Sequence, residues 1–293
     1  MSFFDRKIFY SIASEMKSLS GDCLYINGFI FSDGKQIQKN NLGDDLNVPL
    51  LEFLTNKPVK ILGNLIYKKR EHLLCIGSII ENYCNSHSII WGSGAIEGEK
   101  KLKSLPKKVC AVRGPRTRKY LIDQGVACPE IYGDPALLMP CIYMPKQEKK
   151  YDLGLIPHYI DNNLPQLEEI RRKHPEILIV NLSGYKSWQT VIDQICQCRT
   201  IVSSSLHGMI LADAYKIPNC QIQLSDMIVG GNYKFIDYFE GVKRKYVAPI
   251  NGLNGIDLLC VKKELSSYNA INFPRKKLLD AFPYPLSPNL KGK

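Results

Sequence analysis

The chain has 293 residues, of which 45% are hydrophobic and 23% are charged. These proportions are those of an ordinary globular protein, and they argue against a disordered chain or a membrane-spanning one. The length suits two domains of roughly 150 residues each. The formal net charge of +11 favours acidic partners, which are phosphorylated substrates, anionic lipid headgroups or nucleic acid, although a solvated surface often carries such a surplus.

The N-terminal region carries one short apolar stretch, residues 8–13, that Glu15 closes. It is too short for a membrane helix and a poor signal peptide, so we expect a first surface helix. The ten cysteines include no Cys-x-x-Cys pair. Cys75, Cys110 and Cys128 fall in apolar runs and are expected to be buried, and we expect reduced thiols and a cytoplasmic protein.

In the first half of the chain, short apolar runs alternate with amphipathic stretches, which is the pattern of α/β proteins. Each run ends at or just before Gly, Arg or Asp, and the carboxyl ends of parallel strands form a ligand crevice. A helix is expected from about Arg116 to Gln124, with Gly125 as its stop. The predicted strands are Val59–Gly63, Leu73–Gly77, Ser88–Gly92, Lys108–Val112 and Glu130–Asp134.

A polar linker, Tyr143–Lys150, precedes a second set of alternating elements. We therefore predict two Rossmann-like domains that face each other across a cleft. They are an acceptor-side domain over residues 1–145 and a donor-side domain over residues 146–262, followed by a basic tail over residues 263–293. The predicted strands are Tyr151–Pro157, Glu176–Asn181 and Thr200–Ser203, and the predicted helices are Leu164–Lys173, Trp188–Cys198 and Leu206–Tyr215.

The segment Ser203–Gly208 follows an apolar strand and opens an apolar helix. Unpaired N–H groups and the positive end of the helix dipole lie at a helix start, so hydroxyls and a histidine there suit an anion site or a proton-transfer site. The alternative is an ordinary serine cap followed by a core histidine. Three consecutive serines before His207 and Gly208 favour the functional interpretation, with Ser204 and Ser205 as anion ligands.

The segment Arg113–Thr117 also joins a strand end to a helix start, where Pro115 suits the first helical turn. Its two arginines, Arg113 and Arg116, suit a carboxylate or a phosphate that is held in a bidentate manner. A surface loop with basic charges is the alternative interpretation.

The segment Asn41–Asn47 contains Gly43, which permits a close backbone approach. Asp44 or Asp45 can cap the following helix, which is the commoner use of Asp at a helix start. Asp44 could instead hold a sugar hydroxyl or accept its proton. We discount metal binding because the Asp pair has no accompanying ligands nearby.

Other candidates lie at further strand ends. Gly77–Ser78 and Gly92–Gly94 are glycine turns that let backbone amides approach a phosphate, although neither matches a dinucleotide or P-loop fingerprint. Asp134 is expected to start a turn or a helix, and His158 is expected to face the cleft. Lys234 has aromatic and apolar neighbours, where an ammonium is costly unless it meets an anion such as phosphate.

In this order, these segments resemble the polysaccharide pyruvyltransferase family over about residues 25–242. Each motif is weak or moderate by itself, whereas the ordered set is highly specific. One departure is Thr117, where many relatives have Ser, and the hydroxyl is kept. The resembling segments are Asn41–Asp44, Ile76–Ser78, Trp91–Gly94, Arg113–Thr117, Gly133–Pro135, Ile156–His158, Ser203–Gly208 and Lys234–Tyr238.

The resemblance implies a GT-B-like arrangement of the two domains and a ketal-forming pyruvyltransferase. Such enzymes move the enolpyruvyl group of phosphoenolpyruvate onto a terminal sugar of a polysaccharide or of a lipid-linked oligosaccharide precursor. We expect no cofactor, no metal and no nucleic-acid partner. Residue chemistry and resemblance together predict His207, Asp44 and Arg113 as catalytic, Arg113, Arg116, Ser204, Ser205, His207, Gly208 and Lys234 as donor-binding, and Asn41, Asp44, Gly77, Ser78, Gly94 and His158 as acceptor-binding.

The expected chemistry protonates the methylene carbon of phosphoenolpyruvate, adds a sugar hydroxyl at C2, expels phosphate and closes the ketal with a second hydroxyl. It requires an acid, a base and stabilisation of the departing anion. We expect His207 to serve in the proton transfer or in the departure of phosphate, and Asp44 to serve the acceptor hydroxyl.

The basic tail supports a further hypothesis of peripheral contact with anionic lipid at the inner face of the membrane. The alternative, which we favour, is a helix that packs back on the first domain. The tail residues concerned are Arg275, Lys276, Lys277, Leu278, Leu279 and Phe282.

Two other functions compete with pyruvyl transfer. The first is a GT-B-type glycosyltransferase that uses a nucleotide sugar, but the arginine and serine–histidine segments favour a smaller and doubly anionic donor. The second is a non-catalytic carbohydrate-binding or nucleic-acid-binding protein. The net charge permits it, yet no motif that reads RNA or DNA is present.

Overall fold

The structure is a computed structural model that describes residues 22–30, 41–64 and 69–288. These residues form an α/β fold with two parallel sheets of five strands each, which confirms the α/β part of the prediction. The helix expected over residues 8–13 lies outside the described residues. Within the described ranges, none of the helices combines the length and the apolar character that crossing a membrane requires.

The first sheet has the strand order β2–β1–β3–β4–β5, and its neighbouring strands are parallel. Its first strand was not predicted from the sequence. The other four strands were predicted and are shorter than expected. They are β1 (Leu24–Ile26), β2 (Val59–Ile61), β3 (His72–Leu74), β4 (Ser88–Trp91) and β5 (Lys108–Ala111).

The predicted strand Glu130–Asp134 is not formed, and only an isolated bridge at Tyr132 extends the sheet beyond β5. Gly133 adopts a φ of +143°, which interrupts an extended strand. The Asp134 side chain then caps the 3₁₀ segment Pro135–Cys141 by accepting from the amide two residues further on, at 2.9 Å. The expectation that Asp134 starts a turn or a helix is therefore confirmed.

The first sheet is accompanied by helices α1 (Leu42–Asp45), α2 (Asn47–Thr55), α3 (Ile80–Tyr83) and α4 (Pro115–Asp123). Helix α4 confirms its prediction. Pro115 occupies the first helical position, where its missing N–H costs nothing, and Gly125 follows the helix with a φ of +79°.

The second sheet has the strand order β10–β9–β8–β6–β7, again with parallel neighbours. Strand β7 is shorter than predicted. Strands β9 and β10 were not predicted because polar residues interrupt their apolar pattern. The strands are β6 (Tyr151–Ile156), β7 (Leu178–Ile179), β8 (Cys198–Ser203), β9 (Asn219–Gln223) and β10 (Ile250–Asn251). The helices are α5 (Pro165–Lys173), α6 (Trp188–Gln197), α7 (Leu206–Ala214) and α8 (Tyr233–Gly241).

The largest buried apolar cluster takes residues from both halves, among them Ile26 and Leu73 of the first sheet and Ile201 of the second. Helix α7 is buried along its whole length, because it lies between strand β8 and the 3₁₀ segment Pro135–Cys141. A helix that is apolar on every side is typical of such a position. All ten cysteines are unpaired, and Cys75, Cys110 and Cys128 are buried as expected.

The C-terminal region forms α9 (Leu258–Ser266) and α10 (Arg275–Asp280), and it returns to the first sheet. The indole N–H of Trp91 donates to the carbonyl of Leu278 at 2.9 Å, and the Trp91 and Phe282 rings lie 4.7 Å apart in an edge-to-face contact. Leu278 is fully buried. This agrees with the favoured prediction of a helix packed on the first half. Leu278 and Phe282 are buried, whereas Lys276 and Lys277 are exposed.

Candidate functional site

A cavity of about 270 Å³ is lined by residues from both halves of the chain. Segments that follow strands β1, β3, β6 and β8 all contribute to its wall, as expected for the carboxyl ends of parallel strands. Of the predicted site residues, the cavity brings together Asn41, Asp44, Ser78, His158, Ser205, His207 and Lys234.

Helix α1 holds Asp44 at the cavity. The helix is capped by Asn41, whose side-chain oxygen accepts from the amide of Gly43 at 3.3 Å, so neither Asp44 nor Asp45 is the cap. The Asn41 amide also donates to the Asp44 carboxylate. Asn47 ties α1 to the loop after β3, because its side chain donates to the Asp44 carbonyl at 2.8 Å and bonds both backbone groups of Ile76.

Two glycines make room for the two candidate acid–base side chains. A β-carbon on Gly43 would lie 1.8 Å from Nδ1 of His207, so the imidazole rests on the α1 backbone. Gly77 has a φ of +120°, and a β-carbon there would lie 2.4 Å from Oδ1 of Asp44. Any larger side chain at either position would push His207 or Asp44 out of place.

The consecutive serines before α7 have different environments. The Ser203 hydroxyl donates to the Ile156 carbonyl at 2.8 Å. The Ser204 hydroxyl donates to Asp161 at 2.7 Å and accepts from the His158 amide at 2.9 Å, so Ser204 fixes the corner and does not line the cavity. The Ser205 side chain makes no capping bond and lines the cavity.

Both cavity histidines are neutral at physiological pH. Burial, together with the nearby positive charges of Lys234 and Arg113, lowers the pKa of His207 to about 3. Burial and Lys234 also lower the pKa of His158 to about 3. The His158 ring accepts from the amide of Ile160 at 3.3 Å, whereas His207 makes no hydrogen bond within the described ranges.

Lys234 supplies the positive charge of the cavity. Its side chain is 8% exposed, and burial together with the neighbouring Arg113 lowers its pKa to about 8, against the raising effect of Asp44 and Asp161. Among residues 22–30, 41–64 and 69–288, no carboxylate comes within ion-pair distance of its ammonium. A buried ammonium without a carboxylate partner is costly, and an anionic ligand would offset that cost.

The carboxyl group of Asp44 is protonated more readily than an exposed one. Burial raises its pKa well above the ordinary value, and the charges of Asp45 and Asp134 raise it further. Burial likewise raises the pKa of Asp134 to about 6, and one carboxylate oxygen of Asp134 is buried without a hydrogen bond. Asp45 accepts from the hydroxyl of Tyr185 at 2.7 Å and does not line the cavity.

Neither predicted arginine lines the cavity. The Arg113 side chain is fully buried and donates to Asp237 at 3.0 Å, to the Ala95 carbonyl at 2.7 Å and to the Ser78 hydroxyl. Arg116 is partly exposed and forms a two-point ion pair with Glu240 on α8. Gly94 packs on the guanidinium of Arg113, and Gly208 packs on Ser203. Neither glycine lines the cavity.

Sequence reasoning missed the aromatic part of the cavity, which is formed by Phe29, Tyr83 and Tyr159 together with Asn82. Tyr159 directly follows the predicted His158, which was the one signal that could have indicated it. The described residues contain no group of three or more His, Cys, Asp or Glu side chains placed to hold a metal ion.

The sequence model of one known family, polysaccharide pyruvyl transferase, matches residues 41–220, which are more than half of the chain. An uncharacterised protein of Acanthamoeba polyphaga mimivirus is 26% identical over 242 residues, or 80% of each chain. The succinoglycan biosynthesis protein ExoV of Rhizobium meliloti (strain 1021) is 28% identical over 210 residues, which are 69% of this chain and 62% of ExoV. The matched range contains Asp44, His158 and His207, and it ends before Lys234.

Proposed function

This chain belongs to the polysaccharide pyruvyl transferase family, and on that premise we propose that it transfers the enolpyruvyl group of phosphoenolpyruvate to a terminal sugar. The acceptor would be a polysaccharide or its lipid-linked precursor, and the product a pyruvate ketal. The similarity to a protein named for succinoglycan biosynthesis supports a polysaccharide acceptor. The observation that carries the proposal is the cavity that combines a buried ammonium, a neutral histidine and a carboxyl group whose pKa is raised by burial.

The donor end of the proposed site is Lys234 with Ser78 and Ser205, which line the same cavity. Phosphoenolpyruvate carries a phosphate and a carboxylate. Either group could pair with the Lys234 ammonium, which has no carboxylate partner among the described residues. Binding of that anion would raise the pKa of Lys234 from about 8 and keep it charged during turnover. The N-terminal amides of α7 add further donors beside Ser205.

We propose that Asp44 is the acid and His207 the base. A carboxyl group with a strongly raised pKa holds a proton that it can deliver to the methylene carbon, which becomes a methyl group. Neutral His207 accepts the proton of the sugar hydroxyl as its oxygen bonds to C2. The bond between C2 and the phosphate oxygen then breaks, and the phosphate leaves with the proton held by His207. The second hydroxyl adds to C2 and gives its proton to the Asp44 carboxylate, which restores the acid. Asp44 thus takes a different role from the one that its sequence position suggested.

We propose that Arg113 acts through helix α8 and not by direct contact with the donor. Its guanidinium bonds Asp237, which lies one turn after Lys234 on that helix, and also the Ser78 hydroxyl. Ser78 lines the cavity and Asp237 shares α8 with Lys234, so Arg113 would set the positions of both donor ligands. Arg116 is engaged by Glu240 outside the cavity, and we leave it out of the donor site.

We also propose that the two sheets are the halves of a GT-B-like arrangement, with the first half on the acceptor side, the second on the donor side and a division near residue 145. A cytoplasmic location would suit the ten unpaired cysteines. It would also suit a donor that is an intracellular metabolite.

Calorimetry with phosphoenolpyruvate and a panel of nucleotide sugars tests the proposal. We expect saturable binding of phosphoenolpyruvate by the wild type and a loss of at least about tenfold in affinity in Lys234→Met. Binding of a nucleotide sugar in its place would assign the chain to glycosyl transfer. If Lys234→Met bound phosphoenolpyruvate as tightly as the wild type, the donor site would lie elsewhere.

A further inference from the structure

The proposed donor chemistry uses none of the three aromatic side chains that line the cavity. Phe29 follows β1, Tyr83 ends α3 and Tyr159 follows β6, so the rings come from both sheets. A small, doubly anionic donor needs cations and hydrogen-bond donors. Three aromatic rings beside the proposed acid and base suit a second substrate that has an apolar face.

Two of the rings pack on each other. Phe29 and Tyr159 are stacked, with an interplanar angle of 25° and centroids 6.4 Å apart. The His158 ring packs on the same pair, because its centroid lies 4.5 Å from that of Tyr159. Phe29 belongs to the first half and Tyr159 to the second, so a ligand on these rings would contact both halves.

The same region offers hydrogen-bonding groups that the protein leaves unused. Across the described ranges, neither the Tyr83 hydroxyl nor the Tyr159 hydroxyl bonds another protein group, and the Asn82 side chain likewise has no protein partner. Tyr83 and Tyr159 line the same cavity as Asp44, and burial together with the charge of Asp44 raises the pKa of both tyrosines. Flat apolar faces edged by free hydroxyl and amide groups therefore adjoin the proposed acid.

A pyranose ring has the matching chemistry. Its C–H bonds form an apolar face that suits the electron-rich face of an aromatic ring, and its hydroxyls project from the rim toward polar groups. A nucleotide base also stacks on aromatic rings. The cavity of about 270 Å³, however, lies below the usual range for larger ligands and suits one sugar ring beside a small donor.

We propose that Phe29, Tyr159 and Tyr83 form the platform for the reacting pyranose ring of the acceptor, and that the Tyr83 hydroxyl and the Asn82 amide hold its hydroxyls. The inference rests on the proposed function, because it identifies the second substrate of the same cavity. The platform lies beside Asp44 and His207, so two neighbouring hydroxyls of the bound sugar face the acid–base pair. The remainder of the acceptor leaves the cavity past Asn82, which is exposed.

Ligand-observed NMR tests the platform with two probes, methyl β-D-galactopyranoside and methyl β-D-glucopyranoside, each in the presence of phosphoenolpyruvate. We expect the wild type to bind at least one glycoside. Tyr159→Leu, which removes the ring, should weaken that binding roughly tenfold. Tyr159→Phe is the matched control, since it keeps the ring, and should weaken binding less than about threefold.

Calorimetry with phosphoenolpyruvate on the same variants separates this inference from the proposed function. Unchanged phosphoenolpyruvate affinity with ring-dependent glycoside binding supports the platform. Equal glycoside binding by Tyr159→Leu and the wild type, or none by the wild type, overturns the platform even where phosphoenolpyruvate binds. Ring-dependent glycoside binding without phosphoenolpyruvate binding keeps the platform and overturns the donor. Displacement of the glycoside by uridine alone would assign the rings to a nucleotide base and overturn the inference.

Discussion

Two buried cations stand near each other in this protein, and their surroundings differ. Arg113 is fully buried, and its guanidinium donates to a carboxylate, a carbonyl and a hydroxyl. Lys234 is almost as deeply buried, yet it faces the cavity without a carboxylate partner in the part of the chain that the structure describes. Burial with every donor satisfied indicates a structural role, whereas burial without partners indicates a group kept for a ligand.

Removal of Arg113 gives the largest expected effect on stability. Arg113→Ala leaves the Asp237 carboxylate buried beside Thr117 without its counter-charge, and should lower the free energy of unfolding by about 3–5 kcal/mol in denaturant titrations. The double variant Arg113→Ala/Asp237→Ala is the control and should recover part of that loss. A stable Arg113→Ala protein that fails to bind phosphoenolpyruvate would make Arg113 a donor ligand and break the contrast with Lys234.

His207 should show the opposite behaviour, with a large effect on turnover and a small one on folding. His207→Ala should lower kcat roughly 10²–10⁴-fold, because it removes the proposed base. The free energy of unfolding should change by less than about 1 kcal/mol, since His207 makes no hydrogen bond in the described ranges. Full activity in this variant, measured as phosphate release with phosphoenolpyruvate and acceptor, would contradict the assignment.

Lys234→Met should stabilise the protein while it abolishes donor binding. The pKa of Lys234 falls from 10.5 to about 8, which means that folding works against its charge at pH 7. Removing that charge should raise the free energy of unfolding by about 3 kcal/mol at pH 7, and this gain should shrink as the pH rises from 8 to 10.5. Thermal and denaturant unfolding across that pH range measures it, and a destabilised Lys234→Met would indicate a structural role.

Asp134 extends the comparison of buried charged groups to a carboxyl group, one oxygen of which has no hydrogen-bond partner among the described residues. Its folded pKa of about 6 exceeds the unfolded value of 3.8, so its contribution to stability is complete below pH 3.8 and is lost as the pH rises through 6. Compared with Asp134→Asn, the wild type should therefore lose about 3 kcal/mol of unfolding free energy between pH 3.8 and pH 7. Parallel pH profiles for the two proteins would show that Asp134 does not titrate in this range.

The sequence predicted most of the fold from apolar runs of four or more residues. Strands β2 to β5 and β8 were found from runs of four or five residues, and β6, α4 and α7 from longer patterns. Short or polar strands such as β1 and β9 give too little signal, since the neighbours that bury them are distant in sequence.

The candidate site was predicted in part. Motif position identified Asp44, His207 and Lys234, which share the cavity. It could not distinguish Ser204 from Ser205, because the direction of a side chain at a strand-to-helix corner depends on the local backbone. It also could not show that the Arg113 guanidinium is paired with Asp237, since that partner lies 124 positions further along the chain.

The contact of the His207 ring with Gly43 determines when the proposed site is completed during synthesis of the chain. Asp44 leaves the ribosome early and His207 much later, so a growing chain holds the proposed acid for most of its synthesis without the proposed base. Because Lys234 lies on α8, after His207 in the chain, the proposed site is complete only when synthesis has passed α8 and folding has brought His207 onto the backbone of α1.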